Sequence, residues 1–347
     1  MGQLIVFCIE GIAIRSNIID HLVHLITEQG FYILQKEFLN SDKMEALKHF
    51  ARWKNIKIQE SALLLMAYDF LPIFPNNSQK QEHPSLDNIR ILTIEKINRY
   101  CQDIYSLSSP LIHSLDNTRQ SWELLNILCS ANISLTKAQI EKLSQSFLTH
   151  YPIKKDLTLG WKRRSKVELI EYQGNLAVKK TFKPGCERFF KRELFVHQKF
   201  RQIRSEIPTL LGYGQSFLIT PYYEDILCFK PYSQQQIPLI IVKQAMKFLH
   251  FFYHLGYALI DFHPGNFIVD KKEGLKAIDF EFLYAYSNKP DSFIECYDLA
   301  GIPLDFSGDK PINLLEKPEM YVSRSYDKYW KPYTKLDLEV VIKNLSE

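Results

Sequence analysis

The chain has 347 residues, 46% of them hydrophobic, and a formal net charge of +4. That is room for two domains, or one large one, around a substantial core. No apolar run approaches the roughly 20 residues of a membrane-spanning helix. Six cysteines (Cys8, Cys101, Cys129, Cys186, Cys228 and Cys296) are scattered without a C-x-x-C pair, against a disulfide framework or zinc site and for reduced, buried thiols in a cytoplasmic protein.

The N-terminal "MGQLIVFCIEG" lacks a basic n-region and a small-residue cleavage site, so it reads as a first strand, not a signal peptide. Gly2 lacks the Ser or Thr that a myristoylation signal carries. "SNIIDHLVHLITEQG" has helical periodicity with Gly30 as its C-cap, and "FYILQKEFL" is a second strand. "SDKMEALKHFARW" is a helix opened by Ser41 or Asp42, and "SALLLMAY" a third strand. "LDNIRILTIEKINRYCQDIY" is helical, and "PLIHSLDNTRQSWELLNILC" gives a short strand, a cap at Asp116 and a helix. The order βαββαβ predicts an antiparallel, ferredoxin-like sheet with helices on one face.

A boundary falls near residue 150, at "THYPIKKDLTLGW", where the composition turns basic. Between Lys154 and Arg204 fifteen Lys/Arg face five Asp/Glu, a local net of +10 that leaves about −6 elsewhere. So basic a segment faces an anion: nucleotide phosphate, a phosphorylated sugar or an anionic membrane surface. Nucleic acid fits less well, because Trp161, Phe182, Phe189 and Phe190 read as core. "KVELIEY" and "NLAVKKTF" form a hairpin around Gln173-Gly174, "CERFFKRELFVHQKFRQI" a helix, "SFLITPYYED" a strand and turn, and "QQQIPLIIVKQAMKFLHFFYHLG" a long buried helix ending at Gly256. A small β-rich lobe, about 160–222, thus precedes a mainly helical one, 223–347.

"YALIDFHPGNFIVDKKEGLKAIDFEF" then sets two acids and an Asn around a turn. Such a set orients a hydroxyl and holds a divalent cation. The stretch resembles the protein-kinase-like superfamily, and most closely its small-molecule branch of aminoglycoside phosphotransferases and lipopolysaccharide core-sugar kinases. Asp261, His263 and Asn266 match the D-x-H-x-x-N loop, and Asp279-Phe280-Glu281 the metal-binding D-F-x, with Glu281 in the place of a Gly. "NLAVKKTF" fits the V-A-I-K strand. Lys179 is preferred as its lysine because it shares strand parity with Ala177; Lys180 is the alternative. Glu193 is its ion-pair partner on the next helix, with Glu187 as the alternative, and Asp298 in "CYDLAGIPLD" matches a structural Asp.

The resemblance implies an α+β chain of two domains, 1–150 and 151–347, the second bilobal and kinase-like. It implies an ATP-dependent kinase using Mg²⁺: Asp261 orients the acceptor hydroxyl, Asn266 and Asp279 hold the metal, and Lys179 with Glu193 binds the phosphates. The acceptor would be a small molecule, of lipopolysaccharide or capsule-sugar type. No G-x-G-x-x-G precedes the lysine; Gly160 and the basic cluster Lys162–Lys166 stand there as phosphate cover or acceptor dock, and Leu259 stands where a His or Gly is usual. Protein phosphorylation and a catalytically inactive scaffold are the competing readings.

The first 135 residues resemble a nucleoside diphosphate kinase in pattern, with His113 and Asp116 matching its phosphate-accepting His and the Asp three residues on. "FCIEG" lacks that family's Lys, and Pro110 replaces its Asn, so this domain is expected to be inactive, structural or a docking unit.

Overall fold

A computed structural model describes residues 2–50, 62–161, 163–227, 236–311, 325–343 and 345. Outside these fall Lys162, Cys228, the end of the helix expected after Ser41, the first residue of the expected third strand, and Gln234 and Gln235 at the start of the expected long helix. The chain is mixed α+β with several sheets. No helix among the described residues is long and apolar enough to cross a membrane.

The first sheet takes β1 (Gln3–Glu10), β2 (Tyr32–Phe38), β3 (Ala62–Asp69) and β4 (Ile112–Ser114) in the order β2-β3-β1-β4, every neighbour antiparallel. Between and after them run α1 (Gly11–Arg15), α2 (Ile19–Glu28), α3 (Ser41–His49), α4 (Asn77–Glu82), α5 (Thr93–Tyr105), α6 (Thr118–Leu128) and α7 (Ile133–Gln145).

Helices cover both faces of this sheet, not one as expected. Ile5, Phe7, Leu63 and Leu65 pack with α2 and α5 through Leu22, Ile26, Ile94 and Ile97. Val6, Cys8, Leu64 and Met66 pack with α3 and α6 through Leu47, Leu124 and Leu125. The physical reason is in the strands themselves: β1 and β3 are near-continuous apolar runs, buried at every position, the pattern of a strand enclosed on both sides. Two helix starts also differ by one residue. Asn40, not Ser41 or Asp42, caps α3 by accepting from the Lys43 amide at 3.0 Å. Asn117, not Asp116, caps α6 by accepting from the Gln120 amide at 2.9 Å.

The second large sheet joins β5 (Ile153–Asp156), β6 (Ser165–Tyr172), β7 (Asn175–Phe182), β8 (Gly212–Tyr213) and β9 (Phe217–Pro221) in the order β5-β6-β7-β9-β8. The β6–β7 turn has Gln173 at φ +51° and Gly174 at φ +79°, the left-handed pair a two-residue hairpin requires. Helix α8 (Glu187–Phe200) follows β7. Helix α9 (Leu239–His254) builds the last core with Phe262, Phe267, Phe280 and Trp330. Around it lie β10 (Tyr257–Ala258), the β11–β12 hairpin (Phe267–Asp270 and Gly274–Ala277) and β13 (Tyr284–Ala285). This part carries fewer long helices than expected: among the described residues after 222, α9 alone exceeds six residues.

The basic segment is not a free cationic face. Of its fourteen described cations, at least seven are in ion pairs, including Lys154 with Glu171, Lys166 with Glu168 and both Arg188 and Arg192 with Asp309. The five described cysteines are all free and buried.

Candidate functional site

A cleft of about 700 Å³ opens between the β5–β9 sheet and the β11–β12 hairpin. Val167, Val178 and Leu218 form one wall, Ile268 and Ile278 the other, and the polar lining includes Lys180, Glu193, Asp261, Asn266, Asp279 and Glu281. Residues more than a hundred positions apart, such as Val167 and Glu281, are thus gathered in one largely apolar cavity, the usual form of a small-molecule site.

Lys180 is the centre of this cluster. Its Nζ donates to Glu193 Oε2 at 2.6 Å and to Asp279 Oδ1 at 3.2 Å, and lies 3.2 Å from Glu281 Oε1. Of the two lysines weighed in the sequence, it is Lys180, the alternative, and not the preferred Lys179 that lines the cleft. Successive side chains of a strand point to opposite faces. Ala177 and Lys179 do share a face, but it is the one covered by Tyr151 and Phe217. There the Lys179 Nζ donates to Thr149 Oγ1 at 2.9 Å and to the Leu148 carbonyl at 3.3 Å. Lys180 shares its parity with Val178, and both line the cleft. Glu193, which the sequence reading paired with Lys179, meets Lys180 instead.

The charges in this pocket are strongly coupled. Burial by itself would lower the Lys180 pKa, but Asp279, Glu193 and Glu281 outweigh it and raise it. Burial pushes the Asp279 carboxyl up, with Glu281 and Asp261 adding, against the pull of Lys180. Glu193 is likewise pushed up, first by burial. Glu281 goes the other way: burial raises it, but Lys180 and Arg164 together hold it well below the usual carboxylate range. The Arg164 Nε donates to Glu281 Oε2, and its guanidinium lies 4.5 Å from the centre of the Phe282 ring. Sequence reasoning named Glu281 only as the residue in the place of a Gly and Arg164 only within the basic Lys162–Lys166 cluster; what it missed is that the two pair with each other. The signal was the Glu after Asp279-Phe280, which can bury a carboxylate there only with cations to meet it.

Asp261 follows a strained turn. Its amide donates to the Leu259 carbonyl at 2.7 Å, closing a three-residue turn around Ile260 at φ +59°, a conformation that a β-branched residue rarely adopts. Asp298 Oδ1 accepts from the amides of Leu259 at 2.9 Å and Ile260 at 2.7 Å. Asn266 Nδ2 donates to the Asp261 carbonyl at 2.9 Å. His263 Nδ1 accepts from the Gly265 amide at 3.1 Å, an ordering role within the loop. His197, one turn beyond Glu193, is buried with Nδ1–H donating to the Pro208 carbonyl at 2.9 Å. Burial drops its pKa to about 4, so it stands neutral against the Phe280 ring.

Of the basic cluster, Arg163 and Arg164 line the cleft. Lys166 pairs instead with Glu168 at 3.1 Å and lies over the Phe147 ring, and Lys162 is outside the described residues. For a divalent cation the chemistry of the donors fits: Mg²⁺ takes one or two carboxylates and completes its shell with phosphate oxygens and water. Asp279 and the Asn266 amide are donors of that kind. No group of three or more His, Cys, Asp or Glu among the described residues is arranged to hold a metal alone.

His113 lies elsewhere, in a depression of about 590 Å³ beside β4. Its Nε2 is 2.8 Å from Glu10 Oε1, and Asp116 accepts from Ser85 Oγ at 2.7 Å. Among the described residues, neither Lys nor Arg lines that depression. No protein-family model matches the chain, and no curated protein matches it in sequence.

Proposed function

We propose that the cleft is the active site of an ATP-dependent phosphotransferase that moves a γ-phosphoryl group to a hydroxyl of a small molecule. One observation carries the reading: Lys180, held by Glu193, faces Asp279 in the same cleft as Asp261 and Asn266. A phosphate-binding cation beside metal-competent acids and a separate carboxylate is the equipment of phosphoryl transfer, where positioning and electrostatics supply most of the rate.

In this reading the apolar walls take the nucleotide base, and Lys180 binds the α- and β-phosphates with Glu193 keeping its ammonium in place. Asn266 and Asp279 would hold Mg²⁺, which supplies charge neutralisation at the phosphates. Asp261 orients the acceptor hydroxyl and accepts its proton as the new O–P bond forms and the bond to the β–γ bridging oxygen breaks. Arg163 and Arg164 serve in place of glycine-rich backbone amides. The first four-stranded sheet, with its order β2-β3-β1-β4, supports a ferredoxin-like domain ahead of a bilobal kinase-like one. Its His113 depression, without Lys or Arg among the described lining residues, supports an inactive nucleoside-diphosphate-kinase-like unit. A sugar-type acceptor and a cytoplasmic location rest on the family resemblance and the cysteine usage.

A scaffold without catalysis is the second reading, favoured by the absence of G-x-G-x-x-G ahead of β7. Thermal unfolding with Mg·ATP separates the two, because a ligand bound only to the folded state raises its stability. A Mg²⁺-dependent rise in Tm that disappears in Asp279→Asn supports the transferase. No shift in either protein sinks it and leaves the scaffold.

A further inference from the structure

The loop that roofs the cleft is tied down from outside the cleft. Trp161, Arg163 and Arg164 line the cavity, yet two of them are held by the unit built on the first sheet. Arg90, on the turn Ile89–Leu92 ahead of α5, is fully buried. Its Nη1 meets both Asp69 oxygens at 2.7 Å. Its Nε donates to the Trp161 carbonyl at 3.0 Å, and Nη2 reaches the same oxygen. Asn88 Nδ2 donates to Asp69 Oδ2 at 2.8 Å, fixing the carboxylate from its other side. Two residues further along the loop, Arg163 Nη1 donates to the Pro72 carbonyl at 3.3 Å.

An ion pair this buried contributes little net stability compared with an apolar pair of the same shape. What it adds is direction. A guanidinium fork locked by one carboxylate presents its remaining donors along one line, and here that line ends on the main chain of the cleft loop. The loop has a single glycine in the usual place of several, Gly160 at φ +81°, whose carbonyl accepts from Arg163 Nε at 3.2 Å; beyond that bond and the Arg164–Glu281 pair, the ties to Arg90 and Pro72 hold its course over the cleft.

We infer that Arg90 is a positioning residue for the cleft: through the Trp161 carbonyl it holds the roof loop in the closed course that bound phosphates need, so the first unit sets the nucleotide affinity of a site it does not line. The inference rests on the nucleotide reading of the cleft. It gives the first unit a task that needs no catalysis at His113.

The full-length chain tests it with two variants. Arg90→Lys keeps a cation against Asp69 but loses the fork. Lys183→Met removes a different crossing tie, the Lys183 Nζ donating to the Gly30 carbonyl at 2.7 Å, and keeps the main-chain bond by which the Lys183 amide donates to the Arg164 carbonyl at 3.0 Å. Amide exchange without nucleotide and titration with Mg·ATP are the readouts. Arg90→Lys is expected to speed exchange across 158–164, leave the amides of Lys180 and Asp279 as they were, and weaken Mg·ATP binding by about tenfold. Lys183→Met is expected to leave loop exchange and binding unchanged. Unchanged loop exchange in Arg90→Lys, or equal effects in both variants, overturns the inference. If Arg90→Lys loses protection throughout and so fails to fold, Arg163→Ala cuts the second tie: faster loop exchange upholds the tether and unchanged exchange refutes it. Failure of the nucleotide reading would show separately, as no Mg·ATP binding by the wild type, while the nucleotide-free exchange still decides whether Arg90 holds the loop.

Discussion

The Oδ1 of Asp298 lies 2.7 Å from the amide nitrogen of Ile260, and this bond holds an isoleucine at φ +59° immediately before Asp261. Backbone strain of that kind costs on the order of 1–3 kcal/mol and persists only where the surroundings impose it. Replacing Asp298 by Ala leaves the Leu259 and Ile260 amides buried without this acceptor. The expected cost is about 3 kcal/mol, read as a lower urea midpoint, and the turn that aims Asp261 relaxes with it.

The same residue predicts a pH dependence. Burial pushes the Asp298 carboxyl up to about 7, the Leu259 and Ile260 amides only partly opposing it, whereas in the unfolded chain an Asp titrates near 4. Between those values the native state binds more protons, so this group's contribution to stability is fully present below about pH 4 and is lost as pH rises through about 7. Asp298→Asn keeps the acceptor oxygen and removes the titration. Its stability should therefore fall less steeply than that of wild type as the pH rises from 4 to 7, measured by urea unfolding at several pH values. Parallel curves would refute the assignment.

Two neighbouring lysines should behave differently. Lys180→Met strands Glu193, Asp279 and Glu281 without their ammonium and should abolish the Mg·ATP-induced rise in Tm, with about 3 kcal/mol of lost stability from the broken buried pair. Lys179→Met acts on the other face of β7, at Thr149 and Leu148. It should retain the rise. Equal loss in both variants would contradict the register seen here.

Glu281 holds both Lys180 and Arg164. Glu281→Ala frees the guanidinium at the mouth of the roof loop and should raise KM for Mg·ATP by about tenfold while changing kcat less, the mark of lost ground-state binding. Steady-state kinetics with any accepted hydroxyl compound reads this directly. A fall in kcat alone would instead place Glu281 in the chemical step.

His113 should be dispensable for ATP chemistry. Its partner is the Glu10 carboxylate, and among the described residues no Lys or Arg lines its depression to receive a phosphate. After incubation with γ-labelled ATP, acid-labile label should be the same in wild type and His113→Gln; label lost only in the variant would identify a phosphohistidine.

Periodicity made most elements legible. The apolar runs of β1 and β3, the Gln173-Gly174 hairpin and the helix ending before Gly256 are local patterns, and local backbone preference fixes them. The acids and the Asn of the candidate site were legible too, because Asp261, Asn266, Glu193 and Asp279 sit at spacings that chemistry makes recognisable. The caps at Asn40 and Asn117 were missed by one residue, since several adjacent polar residues can each accept from a helix's first amides and only the backbone course selects one.

What the sequence by itself determined is therefore the order of elements and the identity of most polar groups in the cleft. The tertiary structure decided which face each element turns inward. Strand parity separates Lys179 from Lys180, but which of them faces the cleft is undetermined until it is known that Tyr151 and Phe217 cover one side of β7. Helices on both faces of the first sheet, Arg164 against Glu281 and Arg90 against Trp161 have the same origin. Each pairs residues far apart in the chain, and their energies exist only once burial removes the competing water.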